Sequence, residues 1–384
     1  MSFVAKAKQQ IREELKNRKL RIQFQNEAKG VHDYLKKYPQ AQLTTVQKNE
    51  IDDFWRPYGI DVQDYSWYQW YYGKTGIADP RFLPQEYYLH MILPYYNRQE
   101  FVQAYKDKNM FDLILPPSDL PKTIFKRRNG VLFDRDGEFI SCDLFDKRII
   151  KLMLEYEEVV FKNATDTGRG INVKKYEIDR EETILEILNN WSQVKDFVVQ
   201  EVIQQHPFFA QFNASSVNIM RINTWFSSGN VIVSTPVLRF GMPGQATDCC
   251  FVYGEEVVRM IGITPEGKLR DKIVHLSGID EKLDIAFPNI IKQVPSWDKV
   301  VSMLQRNAKK LCHFKCIGWD VTVTKDEEPV VIEYNIFEPS SYASQITNGP
   351  MWGEHTESML DFLKNDDIRQ KYVLKDILIK KLKS

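Results

Sequence analysis

Two short stretches carry residues whose types and spacing suit chemistry: Cys316-Ile317-Gly318-Trp319-Asp320-Val321-Thr322-Val323-Thr324, and Pro329-Val330-Val331-Ile332-Glu333-Tyr334-Asn335. They read as a β-hairpin. Side chains alternate faces along a strand, so Glu333 and Asn335 share one face while Tyr334 points away. A turn around Asp326 and Glu327 gives Asp320 and Glu333 equal offsets and sets them directly opposite each other. Carboxylates that close repel unless a cation lies between them. With the amide oxygen of Asn335 they offer hard oxygen ligands, few enough to leave Mg²⁺ room for water and phosphate oxygens. A solvated Asp or Glu near a strand end is the ordinary alternative. The β-branched flanks and the third donor on the same face set this group apart.

Other residues could serve a phosphate-bearing ligand. Lys162 ends an apolar strand and precedes a small polar loop, residues 163–170, that contains Gly168, Arg169 and Gly170. Such a loop offers backbone N–H groups to phosphate, with Lys162 adding positive charge at its base; a plain hairpin loop is the alternative. Glu201 lies inside the apolar strand expected over 197–203, where a carboxylate needs a partner. Arg221 and Arg239 lie among β-branched and apolar residues on strands expected over 218–226 and 231–240. Structural salt bridges are the alternative there.

The elements that must position these groups follow from periodicity. Apolar residues recur at helical spacing over 4–38, and Thr44 or Thr45 can cap a further helix that ends near Pro57-Tyr58-Gly59. The cluster Trp67-Tyr68-x-Trp70-Tyr71-Tyr72 suits core or interdomain packing better than a ligand platform. No glycine-rich turn joins a strand to a helix here, which argues against a Rossmann dinucleotide site. After Pro121 the texture changes to strands and turns, with Asn129-Gly130 marking a hairpin. Helices are expected over 98–108, 141–156, 183–191, 296–314 and 353–364.

Composition narrows the class. A chain of 384 residues is long enough for two or three domains. Lys plus Arg equal Asp plus Glu at 52 each, so no global field marks a nucleic-acid binder. No apolar run reaches the roughly 18 to 20 residues of a membrane span, and Met1 to Gln10 lacks the apolar core of a signal peptide. The five cysteines match no zinc or redox spacing. A reduced, cytoplasmic protein with packing cysteines is the simplest expectation.

Lys before a glycine loop, then a strand with Glu, then Arg-bearing strands, then Asp and Glu-x-Asn, resembles the order of nucleotide-binding parts in the ATP-grasp superfamily. The wording is most similar to the sugar-transfer-associated ATP-grasp family, found among polysaccharide biosynthesis proteins. Ser216-Val217-Asn218-Ile219-Met220-Arg221, Leu238-Arg239-Phe240-Gly241, Gly318-Trp319-Asp320-Val321 and Ile332-Glu333-Tyr334-Asn335 carry the resemblance. It covers roughly residues 108–363. It implies an α+β fold in which two subdomains clasp ATP, residues 121–205 and 206–384, behind a mainly helical region, residues 1–120. Lys162 is then expected to contact ATP phosphates, under the loop of Gly168, Arg169 and Gly170. Gln200, Glu201 and Val202 match the segment that reads adenine, with Gln205 and His206 as ribose candidates. Asp320, Glu333 and Asn335 match the Mg²⁺ ligands, and Arg221 and Arg239 match positions near the γ-phosphate or an acyl phosphate. Lys108, in Asp107-Lys108-Asn109, resembles a motif ahead of the ATP region without an assigned role. Asp248-Cys249-Cys250 departs from the family's pattern after the second Arg strand. Gln345, Asn348 and Gly349 either close over substrate or are structural.

The activity implied is an ADP-forming ligase. A carboxylate attacks the γ-phosphate of ATP, and an amine then displaces phosphate from the acyl phosphate, with Mg²⁺ and cationic side chains balancing charge. The resemblance points to small-molecule carboxylate and amine substrates, including a sugar acid or another precursor of a surface polysaccharide, and to polysaccharide biosynthesis enzymes as partners. A kinase acting on a hydroxyl substrate, and a non-catalytic nucleotide-binding partner of a glycosyltransferase complex, are the rival readings. The sequence does not specify the oligomeric state.

Overall fold

Apolar spacing in the first third produces helices. The computed structural model describes residues 3–165, 173–227, 229–234, 236–242, 244, 250–252, 255–276, 278–337, 339–374 and 377–378. It begins with α1 (Phe3–Lys37), α2 (Thr45–Trp55) and α3 (Ser66–Thr75). Thr44 opens α2 with a capping box: its hydroxyl accepts from the Gln47 N–H at 3.2 Å, and Gln47 Oε1 accepts from the Thr44 N–H at 2.8 Å. On α3, Trp67, Trp70 and Tyr71 are buried, and Tyr71 stacks on Phe82 with ring centroids 4.8 Å apart. The aromatic cluster is therefore packing, as its sequence suggests. No helix among the described residues is long and apolar enough to cross a membrane.

The strands form two main antiparallel sheets. The smaller holds β1 (Thr123–Arg128), β2 (Val131–Asp134), β3 (Phe139–Ser141), β4 (Glu158–Asn163), β5 (Val173–Glu177) and β6 (Phe197–Glu201), in the order β3-β2-β1-β6-β4-β5. Helices Lys147–Met153 and Glu181–Trp191 pack Ile149, Met153, Ile184 and Leu188 against its apolar residues Phe125, Phe161 and Val199.

The larger sheet holds β7 (Ile219–Ser227), β8 (Asn230–Val233) and β9 (Val237–Phe240). A separate ribbon pairs β10 (Cys250–Val252) with β11 (Glu255–Val257). The larger sheet is completed by β12 (Arg259–Ile263), β13 (Leu269–His275), β14 (Glu281–Lys282), β15 (Cys316–Val323) and β16 (Pro329–Asn335). Its order is β14-β13-β12-β9-β7-β15-β16, with β8 on β7.

Period-two alternation gives this sheet two unlike faces. Met220, Ile222, Leu238, Ile261, Trp319 and Val321 pack with Val300, Met303 and Leu304 of helix Trp297–Ala308. The intervening positions face the other way, where Trp225, Val237, Met260 and Cys316 join the core of the N-terminal helices. The polar residues of the same face, Arg221, Asn223 and Asp320, lie beside that helical wall.

Several elements differ from the sequence expectation. The helix expected over 141–156 shortens to Lys147–Met153, because β3 runs to Ser141 and Asp146 caps the helix by accepting from the Arg148 N–H at 2.9 Å. The helix expected over 98–108 breaks after Tyr105, where the Asp107 carboxylate starts a new turn by accepting from the Asn109 N–H. The strand expected over 231–240 divides into β8 and β9 around Pro236, which has no N–H to donate. Residues 353–364 form three short turns of helix rather than one. Of the cysteines with described exposure, Cys316 is buried, whereas Cys142 and Cys312 are exposed, so the packing role holds for Cys316 alone.

Asn97 ties the helical region to the central strands. It is fully buried, accepts from the Cys316 N–H at 3.0 Å, and donates to the carbonyls of Cys316 and Ile336 at 2.7 and 2.8 Å. Removing the amide leaves three buried backbone groups unpaired. Asn97→Ala is expected to lose on the order of 3 kcal/mol of stability, read as a lower midpoint in denaturant unfolding.

Candidate functional site

The hairpin of β15 and β16 brings its acidic residues together, though not through the simple turn its sequence suggests. The turn is a three-residue loop, Lys325 to Glu327, with Glu327 at φ 61° and a Thr324 N–H···O Glu328 bond of 2.9 Å. That loop sets Val321 opposite Val331. Continued unbroken, the register would set Asp320 opposite Ile332 and put Glu333 on the wrong face. A bulge between Asp320 and Val321 absorbs Ile332, so Asp320 stands opposite Glu333 and Gly318 opposite Asn335. Tyr334 points into the opposite core, stacking on Phe111 at 4.2 Å. Asn335 Nδ2 lies 3.4 Å from Asp320 Oδ2.

Each carboxylate meets a cation from another element. β7 sets Arg221 opposite Asp320. The guanidinium donates through Nε to Oδ1 at 2.5 Å and through Nη2 to Oδ2 at 2.9 Å, a two-pronged pair with both side chains about nine-tenths buried. Lys108 reaches Glu333 Oε1 at 3.0 Å from a short 3₁₀ turn, Lys108–Met110. Its own N–H donates to the Ala164 carbonyl at 2.9 Å, which anchors that turn to the chain leaving β4. This pairing was not readable from Asp107-Lys108-Asn109. The available signal was Asp107, whose side chain caps the turn that presents Lys108.

Lys162 stands on β4 of the smaller sheet, opposite Val198 of β6. Burial pushes its ammonium down to about 8, the Lys108 charge adds to the shift, and the Glu333 carboxylate opposes it. Lys162 therefore feels the charges of Lys108 and Glu333 across the gap between the two sheets. Gln200 and Glu201 end β6, Val202 follows, and all three are half-buried at the margin of that sheet. Gly168, Arg169 and Gly170 lie outside the described residues, as do Asp248 and Cys249.

Arg239 lies on β9 opposite Ile219, on the same face as Arg221 and displaced by one strand and two residues. That places the two backbones roughly 8 Å apart.

The ribose candidates are engaged in structure. Gln205 accepts from the Asn218 N–H at 3.0 Å and donates to the carbonyls of Asn213 and Ser216, while His206 Nδ1 accepts from the Phe208 N–H at 3.1 Å. Gln345 is likewise structural: it is fully buried and bonds the Leu83 backbone and the Tyr71 hydroxyl. Asn348 bonds the Pro236 carbonyl and Arg270.

The donor set suits a small hard cation. Among the described residues no three His, Cys, Asp or Glu side chains converge, so a metal ion here would take the Asn335 amide oxygen as its third protein ligand. Two opposed carboxylates and one amide leave coordination positions for phosphate oxygens. Arg221 and Lys108 supply neutralising charge to the two carboxylates.

The Lys162 environment makes a direct prediction. In Lys108→Met a like charge disappears and Glu333 loses its competing partner, and both changes favour the protonated amine. The pH midpoint for acetylation at Lys162, followed by mass spectrometry, is expected near 8 in the wild type and higher in the variant.

No functionally curated protein matches the sequence. Among solved structures, the chain is similar to D-alanyl-alanine synthetase A from Vibrio cholerae O1 biovar eltor str. N16961, with 11% identity, TM-score 0.39, and coverage of 67% of this chain and 65% of that one. It is similar to the ATP-grasp ligase PsnB, in a complex with a variant precursor, Mg and ADP, with 12% identity, TM-score 0.40, and coverage of 70% and 62%. It is similar to D-alanine–D-alanine ligase from Bacillus anthracis complexed with ATP, with 14% identity, TM-score 0.37, and coverage of 67% and 68%. The chain thus spans less than two thirds of the Vibrio synthetase and of PsnB. The family described as sugar-transfer associated ATP-grasp matches residues 90–359, well over half of the chain. This chain, with its paired antiparallel sheets and helical N-terminal region, belongs to the sugar-transfer associated ATP-grasp family.

Proposed function

We propose that the protein is an ATP-dependent ligase that joins a carboxylate to an amine through an acyl phosphate, acting on a sugar acid or another precursor of a surface polysaccharide. The observation that carries this reading is the meeting of Asp320, Glu333 and Asn335 with Arg221 and Lys108, with Lys162 near enough for its charge to feel Lys108 and Glu333. Family membership supports ATP as the nucleotide.

In this reading Gln200, Glu201 and Val202 hold the adenine, and Lys162 and Lys108 draw the phosphates toward the large sheet. The loop of Gly168, Arg169 and Gly170 covers the phosphates. Asp320, Glu333 and Asn335 hold Mg²⁺, which supplies charge neutralisation at the phosphate oxygens when bound. As nucleotide arrives, Lys108 exchanges Glu333 for phosphate. Arg221 keeps Asp320 oriented, and Arg239, one strand away, faces the developing charge on the transferred phosphoryl group. Polysaccharide biosynthesis enzymes are the partners this reading assigns.

The test is ADP release from Mg·ATP against pooled sugar acids and amino acids, each with and without pooled amines. The ligase reading expects release that requires both acid and amine, and a fall of about 10² to 10³-fold in Glu333→Gln. Release with hydroxyl compounds alone identifies a kinase. ATP binding without release in any mixture identifies a non-catalytic binding protein.

A further inference from the structure

One fully buried polar side chain on the site face has no partner. Asn223 of β7 is 1% exposed, and neither its Oδ1 nor its Nδ2 makes a hydrogen bond. It stands opposite Gly318, which stands opposite Asn335, so the three form the row next to Arg221, Asp320 and Glu333. A Cβ added to Gly318 would lie 3.1 Å from Asn223 Oδ1 and 2.9 Å from the Cβ of Pro339, in the segment leaving β16. Pro339 thus covers Gly318 beside the orphaned amide. A buried amide with both atoms unpaired is unfavourable and calls for an explanation.

Position along β15 indicates that use. At the turn end, residues 204–206 are fastened to the hairpin: the Lys325 N–H donates to the Gln204 carbonyl at 2.8 Å and the His206 N–H to the Val323 carbonyl at 2.9 Å. Those residues directly follow the segment proposed to hold adenine. Asp320 lies four residues inward from Thr324, about 13 Å, and the Asn223 row lies about 7 Å farther on. The next row, Trp225 and Cys316, is closed by the N-terminal helices. The Asn223 row is therefore the polar row beyond the phosphates, where the body of an acid extends once its carboxylate is set against the γ-phosphate.

We propose that Asn223 binds the acid substrate beside its reacting carboxyl and that this part of the acid carries neighbouring hydroxyl groups. The inference rests on the ligase reading. A carboxamide presents a donor and an acceptor side by side, which matches two adjacent hydroxyls, one accepting from Nδ2 and the other donating to Oδ1. An ammonium group donates only and leaves Nδ2 unpaired. Binding displaces Pro339 from Gly318 and pairs both amide atoms.

Two measurements test this in the full chain. Without ligand, Asn223→Leu removes an unpaired amide at similar volume, and its thermal midpoint is expected to rise by about 2 to 4 °C. In ADP release with pooled amines, D-glycerate and D-gluconate are expected to exceed propionate by about 10²-fold or more in kcat/KM. Asn223→Leu is expected to lose that preference while its affinity for Mg·ATP, measured by calorimetry, stays unchanged. A lower midpoint in Asn223→Leu shows the amide paired in the fold and overturns the proposal. Equal turnover of propionate, a preference for L-alanine or L-serine, or a preference that survives in the variant overturns it while leaving the ligase reading intact. ATP binding with no release for any acid removes the ligase reading and this proposal with it.

Discussion

Two carboxylates stand opposite each other on adjacent strands, and their repulsion has to be balanced. Directly opposed positions in a sheet bring side chains to about 5 Å. At an effective dielectric of about 20, two unit charges at that distance repel by on the order of 3 kcal/mol. Asp320 and Glu333 occupy such positions, and the fold balances them with Arg221 from β7 and Lys108 from the segment ahead of the small sheet. The second contact matters for architecture as well as charge. Lys108 bonds Glu333 through its side chain and the Ala164 carbonyl through its backbone, so one residue ties the large sheet to the chain leaving β4 of the small one. Under the proposed function, these two cation contacts are the interactions that a nucleotide's metal and phosphates would take over.

The rest of the structure keeps that pair in place. Alternation along β7, β15 and β16 assigns one face to helix Trp297–Ala308 and the other to the site and the N-terminal helices. Asn97 grips the start of β15 and the residue after β16 from the helical region, fixing the ends of the two strands that carry the acids. Gln345 is clamped by Leu83 and Tyr71 of the same region. The helices therefore form a wall beside the paired carboxylates as well as a core of their own.

Much of this arrangement was legible from residue order, because strand alternation is a short-range rule. Glu333 and Asn335 share a face and Tyr334 points away, as period two requires. The pairing of Asp320 with Glu333 was also anticipated, but through a two-residue turn. The protein uses a three-residue loop and then a bulge at Ile332, and these two offsets cancel. Neither has a strong sequence signature: Glu327 at positive φ is unusual for its type, and a bulge is set by the neighbouring strand as much as by its own residues. Long-range partners were out of reach for a similar reason. Lys108 is 225 positions from Glu333, and Gln205 looked available for a ribose until the fold surrounded it with Asn213, Ser216 and Asn218. Arg221 shows the intermediate case: its importance was readable from its apolar neighbours, but its two-pronged grip on Asp320 depends on a register between strands nearly a hundred residues apart.

In the proposed function, Asp320 and Glu333 form a divalent-cation site completed by nucleotide. Electron paramagnetic resonance of Mn²⁺ tests it most directly, with the ion titrated into the protein in the presence and absence of ADP and then into Asp320→Asn. One protein-bound Mn²⁺ is expected, with an affinity that increases with ADP and falls by at least about tenfold in the variant, the equivalent of about 1.4 kcal/mol. Equal Mn²⁺ binding by wild type and variant in the presence of ADP would contradict it.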